Sequence, residues 1–146
     1  MKKIICFVLC ITMLVGSLPI FTFAAGAEEN GIMPCYNNVA LTDSLFAIDS
    51  GGMAYISVSY DGHHEITTGA IITVELQKSF LGMFWKTVEI GLPDNMWVDY
   101  ADGYIYSNTH MCQLTSKGTY RAEIHYTIYG TAGPADEIED FLTYMY

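Results

Sequence analysis

The run Asp61-Gly62-His63-His64-Glu65 holds the densest set of side chains able to bind a metal, because imidazoles and carboxylates side by side are ligands for zinc or copper. Zinc needs three or four convergent donors, however, and adjacent His63 and His64 point apart. His110 and His125 fall in other segments, so the run reads as a polar loop. Asp94, Asp99 and Asp102, with Gly103 following, raise calcium as a second possibility. Their spacing argues against it: Tyr100-Ala101 separates the last two aspartates, and no bidentate glutamate follows. No metal site and no cofactor is expected.

Trp97, Tyr100, Tyr104 and Tyr106 surround those aspartates and form the best candidate for a ligand surface. Aromatic rings flanked by carboxylates stack on and hydrogen-bond a pyranose, so the segment suggests a carbohydrate site. The competing reading is that the rings fill a core, with Trp85 and Trp97 between two sheets. For nucleophilic chemistry the chain offers no Gly-x-Ser-x-Gly elbow and no cysteine beside a histidine with a third orienting group. Carboxylate pairs cannot be nominated by spacing, because their role depends on separation in space. The expectation is a protein that is not an enzyme.

The elements that would carry these residues are strands. In Gly118 to Gly130, Tyr120, Ala122, Ile124, Tyr126 and Ile128 alternate with Arg121, Glu123, His125, Thr127 and Tyr129, which is the period of a half-buried strand. A Gly-x-Tyr entry of this kind places a buried ring at a corner, with its hydroxyl bonded to upstream backbone. Met53 to Tyr60 alternates as cleanly and ends at Asp61-Gly62, and Thr67 to Lys78 is the most β-branched window, expected to be central. Residues 39–48 suggest one or two short strands interrupted near Asp43. Ser79 to Gly82 links to a strand over 83–90, Tyr104 to Leu114 reads as another, and Ile138 to Tyr146 as the last, with a turn of helix over Glu137 to Leu142 as the alternative for that tail. Turn signals every 8–12 residues without an amphipathic helix predict an all-β, antiparallel immunoglobulin-like β-sandwich of about seven strands.

Lys2-Lys3, the apolar run Ile4 to Leu18, and small residues at Ala25 and Ala27 read as a signal peptide over residues 1–27. A spanning helix needs about 20 apolar residues, and this run is shorter and broken by Pro19. Residues 28–34 read as a flexible lead-in and 35–146 as one domain, with a secreted, extracellular location. All 16 Asp and Glu lie beyond residue 27, whereas Lys2 and Lys3 do not, which leaves four cations and a net charge of −12. A chain so acidic is a poor partner for nucleic acid or an anionic membrane, and no membrane contact is expected of the mature form.

Tyr36-Asn37, Ile48 with Gly51-Gly52-Met53-Ala54, Val74-Glu75-Leu76-Gln77-Lys78 before Trp85, and Gly118-Thr119-Tyr120-Arg121 occur in an order that resembles a group of small exported proteins of Gram-positive bacteria. Their single domain is immunoglobulin-like or fibronectin-type-III-like. The resemblance implies fold and export and carries no shared chemistry. Ile56 and Ile124 stand where antibody-type domains carry cysteines. The remaining pair, Cys35 and Cys112, invites a disulfide in an exported chain. Standard topology, with the first and fifth strands parallel in one sheet, would put the two at opposite ends, beyond the ~7 Å Cα limit. The functional expectation is a non-catalytic interaction domain whose partner is a protein or glycan at the cell surface. The alternative is a carbohydrate-binding module using Trp97 to Tyr106.

Overall fold

The computed structural model describes residues 36–146. The expected signal peptide and lead-in, and the proposed pairing of Cys35 with Cys112, lie outside the described residues. The alternating segments form eight strands: β1 (Val39–Ile48), β2 (Met53–Gly62), β3 (Thr67–Phe80), β4 (Phe84–Thr87), β5 (Met96–Asp102), β6 (Ile105–Gln113), β7 (Thr119–Gly130) and β8 (Asp136–Met145). Every pairing is antiparallel.

One sheet runs β1-β2-β6. The other is built on β3, with β7 and then β8 on one side. Along the opposite side of β3, β5 pairs Gly69–Glu75 and β4 pairs Gln77–Phe80. β4 and β5 are therefore one edge strand interrupted by residues 88–95, and counted in that way the sandwich has seven strands. Val88 N still donates to Leu76 O at 2.8 Å before the chain leaves the sheet. The excursion ends in a 3-10 turn, Pro93–Asn95, where proline contributes no backbone donor. The result is an immunoglobulin-like or fibronectin-III-like antiparallel sandwich.

Alternation decides which face is buried. Tyr120, Ala122, Ile124, Tyr126 and Ile128 of β7 face inward and are at most 2% exposed, as the period-two reading expects. They meet Ile72, Val74 and Leu76 of β3 within the sheet, and Ala54, Ile56 and Val58 of β2 complete the core from the other sheet. Tyr120 turns the corner into β7: its hydroxyl donates to Ser116 O at 2.6 Å. Tyr120→Phe keeps the ring and removes the bond, and should lower unfolding free energy by about 1 kcal/mol in urea titration. An unchanged midpoint would show that the bond contributes nothing.

The two sheets are also pinned by charge. Asp136, buried at the start of β8, accepts the N–H groups of Asn37 (3.1 Å), Asn38 (2.7 Å) and Val39 (3.1 Å), fixing the entry of β1.

Two expectations are corrected, and one segment given no element above is a strand. β1 is continuous through Asp43, whose backbone stays in register with Ser59, and its irregularity lies between Val39 and Leu41. Met96–Asp102 is a strand in its own right, on the β3 edge. Trp85 is not between the sheets: it pairs with Ser79 on the outer face, 36% exposed, because β4 projects past the end of the core. The β1 and β6 strands do run parallel in one sheet, both antiparallel to β2; Val39 pairs Gly62 at one end and Cys112 pairs Ala54 at the other.

Candidate binding surface on the five-stranded sheet

The four candidate aromatics do not share a face. Trp97 is opposite Val74 and turns inward, its ring stacked on His110 at 5.2 Å. Tyr106 is opposite the buried Tyr60 and stacks on it at 6.2 Å, also inward. Tyr100 points out of the other side of β5 and is 78% exposed. Tyr104 lies in the crossover to β6, edge-on to His64 at 4.8 Å.

Between Trp97 and Tyr106 sits a polar cluster that the sequence reading missed. Asp99 Oδ2 is 2.9 Å from His110 Nε2, and Asn108 Nδ2 donates to both Asp99 oxygens at 3.1 and 3.2 Å. The Asp99 and His110 side chains are only about a tenth exposed. Burial, then the nearby Asp99 charge, pushes the Tyr106 phenol above its ordinary pKa. The signal was available: Asp99 shares the inward phase of Trp97 and Ala101, and His110 shares that of Tyr106 and Asn108. A cavity of about 330 Å³ opens beside the pair, lined by Leu92, Pro93, Asp94 and Met96 among others, with no serine, threonine or cysteine in its wall. The pair joins β5 of one sheet to β6 of the other.

Among the described residues no group of three or more His, Cys, Asp or Glu side chains is placed to hold a metal ion. His63 lies in the β2–β3 turn, where its N–H bonds Thr67 Oγ1 at 2.9 Å, and exposed His64 faces Tyr104. His125 is on the outer face of β7, between Glu123 (3.2 Å) and Glu139 (3.4 Å).

That outer face carries a connected set of half-buried and exposed polar side chains. Thr87 of β4 donates to Glu75 of β3 at 2.5 Å, and Gln77 donates to Glu75 (3.1 Å) and Glu123 (3.0 Å). Arg121 donates through Nε to Gln77 Oε1 at 3.0 Å and pairs with Glu123 at 3.3 Å. His125 continues the chain to Glu139 on β8, so one polar lattice crosses four strands. The Arg121 guanidinium lies over the rings of Trp85 (4.5 Å) and Phe141 (5.1 Å), which stand on either side of it. Arg121→Ala removes both contacts and should cost roughly 1 kcal/mol, with Trp85 emission shifted to the red. Unchanged emission and stability would mean that the stack does not form in solution.

Farther along the same face, Tyr100 and Tyr129 flank Gly69 across a cavity of about 300 Å³. Glycine is required there, because a Cβ would lie 2.5 Å from Ala101 O. Among the described residues, no helix is long and apolar enough to cross a membrane. No family model matches this chain, and the searches of curated proteins and of solved structures returned no match.

Proposed function

We propose that this chain is an exported, non-catalytic binding domain that engages a protein partner at the cell surface through the outer face of the five-stranded sheet. The observation that carries the reading is the polar lattice from Thr87 to Glu139, cross-linked by its own hydrogen bonds and set between Trp85 and Phe141. A surface whose side chains are already ordered loses little conformational entropy on association. Exposed aromatics beside an arginine are the residue types that dominate binding energy at interfaces. Export rests on Lys2-Lys3, the apolar run that follows and the small residues at Ala25 and Ala27.

The carbohydrate reading keeps one specific observation in its favour, the exposed pair Tyr100 and Tyr129 around the Gly69 gap. Tyr100 belongs to the aromatic set that suggested it; Trp97 and Tyr106 face inward. A glycan array with the unmodified chain and a Tyr100→Ala/Tyr129→Ala variant separates the two. Competable sugar binding that the variant loses would replace the protein-partner reading. Silence on the array, with a protein adduct captured by a benzophenone side chain placed at position 141, is the result the leading reading expects.

A further inference from the structure

We propose that the β3–β4 hairpin is a lipid-docking element that inserts its apolar tip into an anionic bilayer surface. The inference shares Trp85 and Arg121 with the sheet-face reading, and its tests fall on Leu81, Met83 and Lys86, which that reading does not use. Phe80, Leu81, Met83 and Phe84 form the tip and are 59%, 72%, 72% and 61% exposed. Behind them the cross-strand pairs are Phe80 with Phe84, Ser79 with Trp85, and Lys78 with Lys86. From the tip inward the order is apolar side chains, then a tryptophan, then two lysines. Half a bilayer has the same order: hydrocarbon, the interfacial belt that favours tryptophan, and phosphates that lysines reach by snorkelling. Three residues separate Leu81 from Lys78, about 10 Å at strand rise, which suits the ~5–10 Å depth of interfacial segments.

Charge selects the kind of surface. The described residues contain four cations, Lys78, Lys86, Lys117 and Arg121, and all four lie at this end of the molecule. Lys78 is opposite both Lys86 and Tyr120, Arg121 is opposite Gln77, and Lys117 lies over the Tyr146 ring at 5.8 Å, where Tyr146 N bonds Gly118 O. No acidic residue occurs from Lys78 through Val88. A groove of about 460 Å³ separates the hairpin from residues 113–116, and Lys78, Lys86 and Phe80 line it, with Glu89 as its carboxylate. Lys78 Nζ already donates to Ser116 Oγ at 2.6 Å, which holds it at the groove. The acidity of the whole chain opposes a negative membrane only over distances that salt leaves unscreened, about 8 Å under physiological conditions. The nearest carboxylates, Glu75 bonded to Thr87 and Glu89 in the groove, lie three residues farther from the tip than Lys78 and Lys86, so the lysines are the charges that first meet the bilayer.

The turn itself points the same way. Leu81 and Gly82 have φ of 55° and 68°, and Met83 N bonds Phe80 O at 3.3 Å. Such left-handed pairs are usually Asn-Gly, and a leucine there is strained. Its side chain receives no burial in return. A tip-to-tip dimer is disfavoured, because it would bring the Lys78 and Lys86 pairs of two copies together.

Co-sedimentation of the full exported chain with phosphatidylcholine vesicles, with and without phosphatidylglycerol, tests the proposal. Binding is expected to the anionic vesicles, to weaken with salt, and to fall about fivefold in Lys86→Ala. Leu81→Asp/Met83→Asp, confined to exposed positions, should lower affinity by at least about tenfold while leaving the circular dichroism spectrum unchanged. Leu81→Asn should raise Tm yet weaken vesicle binding, a combination that a purely structural turn would not give. Failure of the unmodified chain to sediment with anionic vesicles would overturn the proposal. So would binding indifferent to the tip variants, or a tip-dependent dimer in sedimentation velocity without vesicle binding.

Discussion

Asp136→Ala is expected to destabilise the domain by roughly 3 kcal/mol or more, measured by urea unfolding. The carboxylate receives three consecutive main-chain N–H groups, and two of those bonds are buried. Hydrogen bonds to charged groups contribute about 1.5–3 kcal/mol each, and alanine would leave all three donors without a partner. The loss also frees the start of β1, which no turn connects to β8. Asp136→Asn separates charge from geometry. Oδ2 accepts from Asn38 and Val39 while Oδ1 accepts from Asn37, so an amide oxygen placed at the first position keeps two bonds and should recover about half the loss. Full stability in the alanine variant would mean that the β1 entry is held by other contacts.

Ile124→Ala should cost roughly 2–5 kcal/mol, the range for removing a large side chain from a packed interior. Ile124 is fully buried in β7 opposite Val74, in the position where an antibody-type domain would place a cysteine, so packing alone joins the sheets there. A change within about 0.5 kcal/mol is typical of a surface position and would mean that the faces of β7 are inverted.

The contrast between these two residues shows what was legible in the chain. Ile124 could be placed from its own neighbours, because burial of one face imposes alternation over 12 residues of β7. Asp136 could not, since its partners are 97 to 99 positions away and nothing local marks a clamp. The interrupted β4–β5 edge was hidden for the same reason: its continuity exists only in register with β3. Trp85 was misplaced because Phe84, Trp85 and Lys86 are all exposed beyond the end of the core, so polarity no longer reports the face. Trp97 and Tyr100 are three apart on one strand and must face opposite ways, which already divided the aromatic set. The outer-face lattice was unreadable in advance because it consists of cross-strand pairs, Gln77 with Arg121 and His125 with Glu139, whose register is a property of the assembled sheet.

The central claim, that the five-stranded sheet presents the binding face, is tested most directly by site-specific photocrosslinking in cells that express the full chain. A benzophenone side chain replaces Phe141 in one variant and Leu45 in another, both exposed but on the outer faces of opposite sheets. The account predicts a discrete higher-mass protein adduct from position 141, lost when Arg121→Ala and Trp85→Ala are added, and none from position 45. An adduct from position 45 alone, or none from either position, would contradict it.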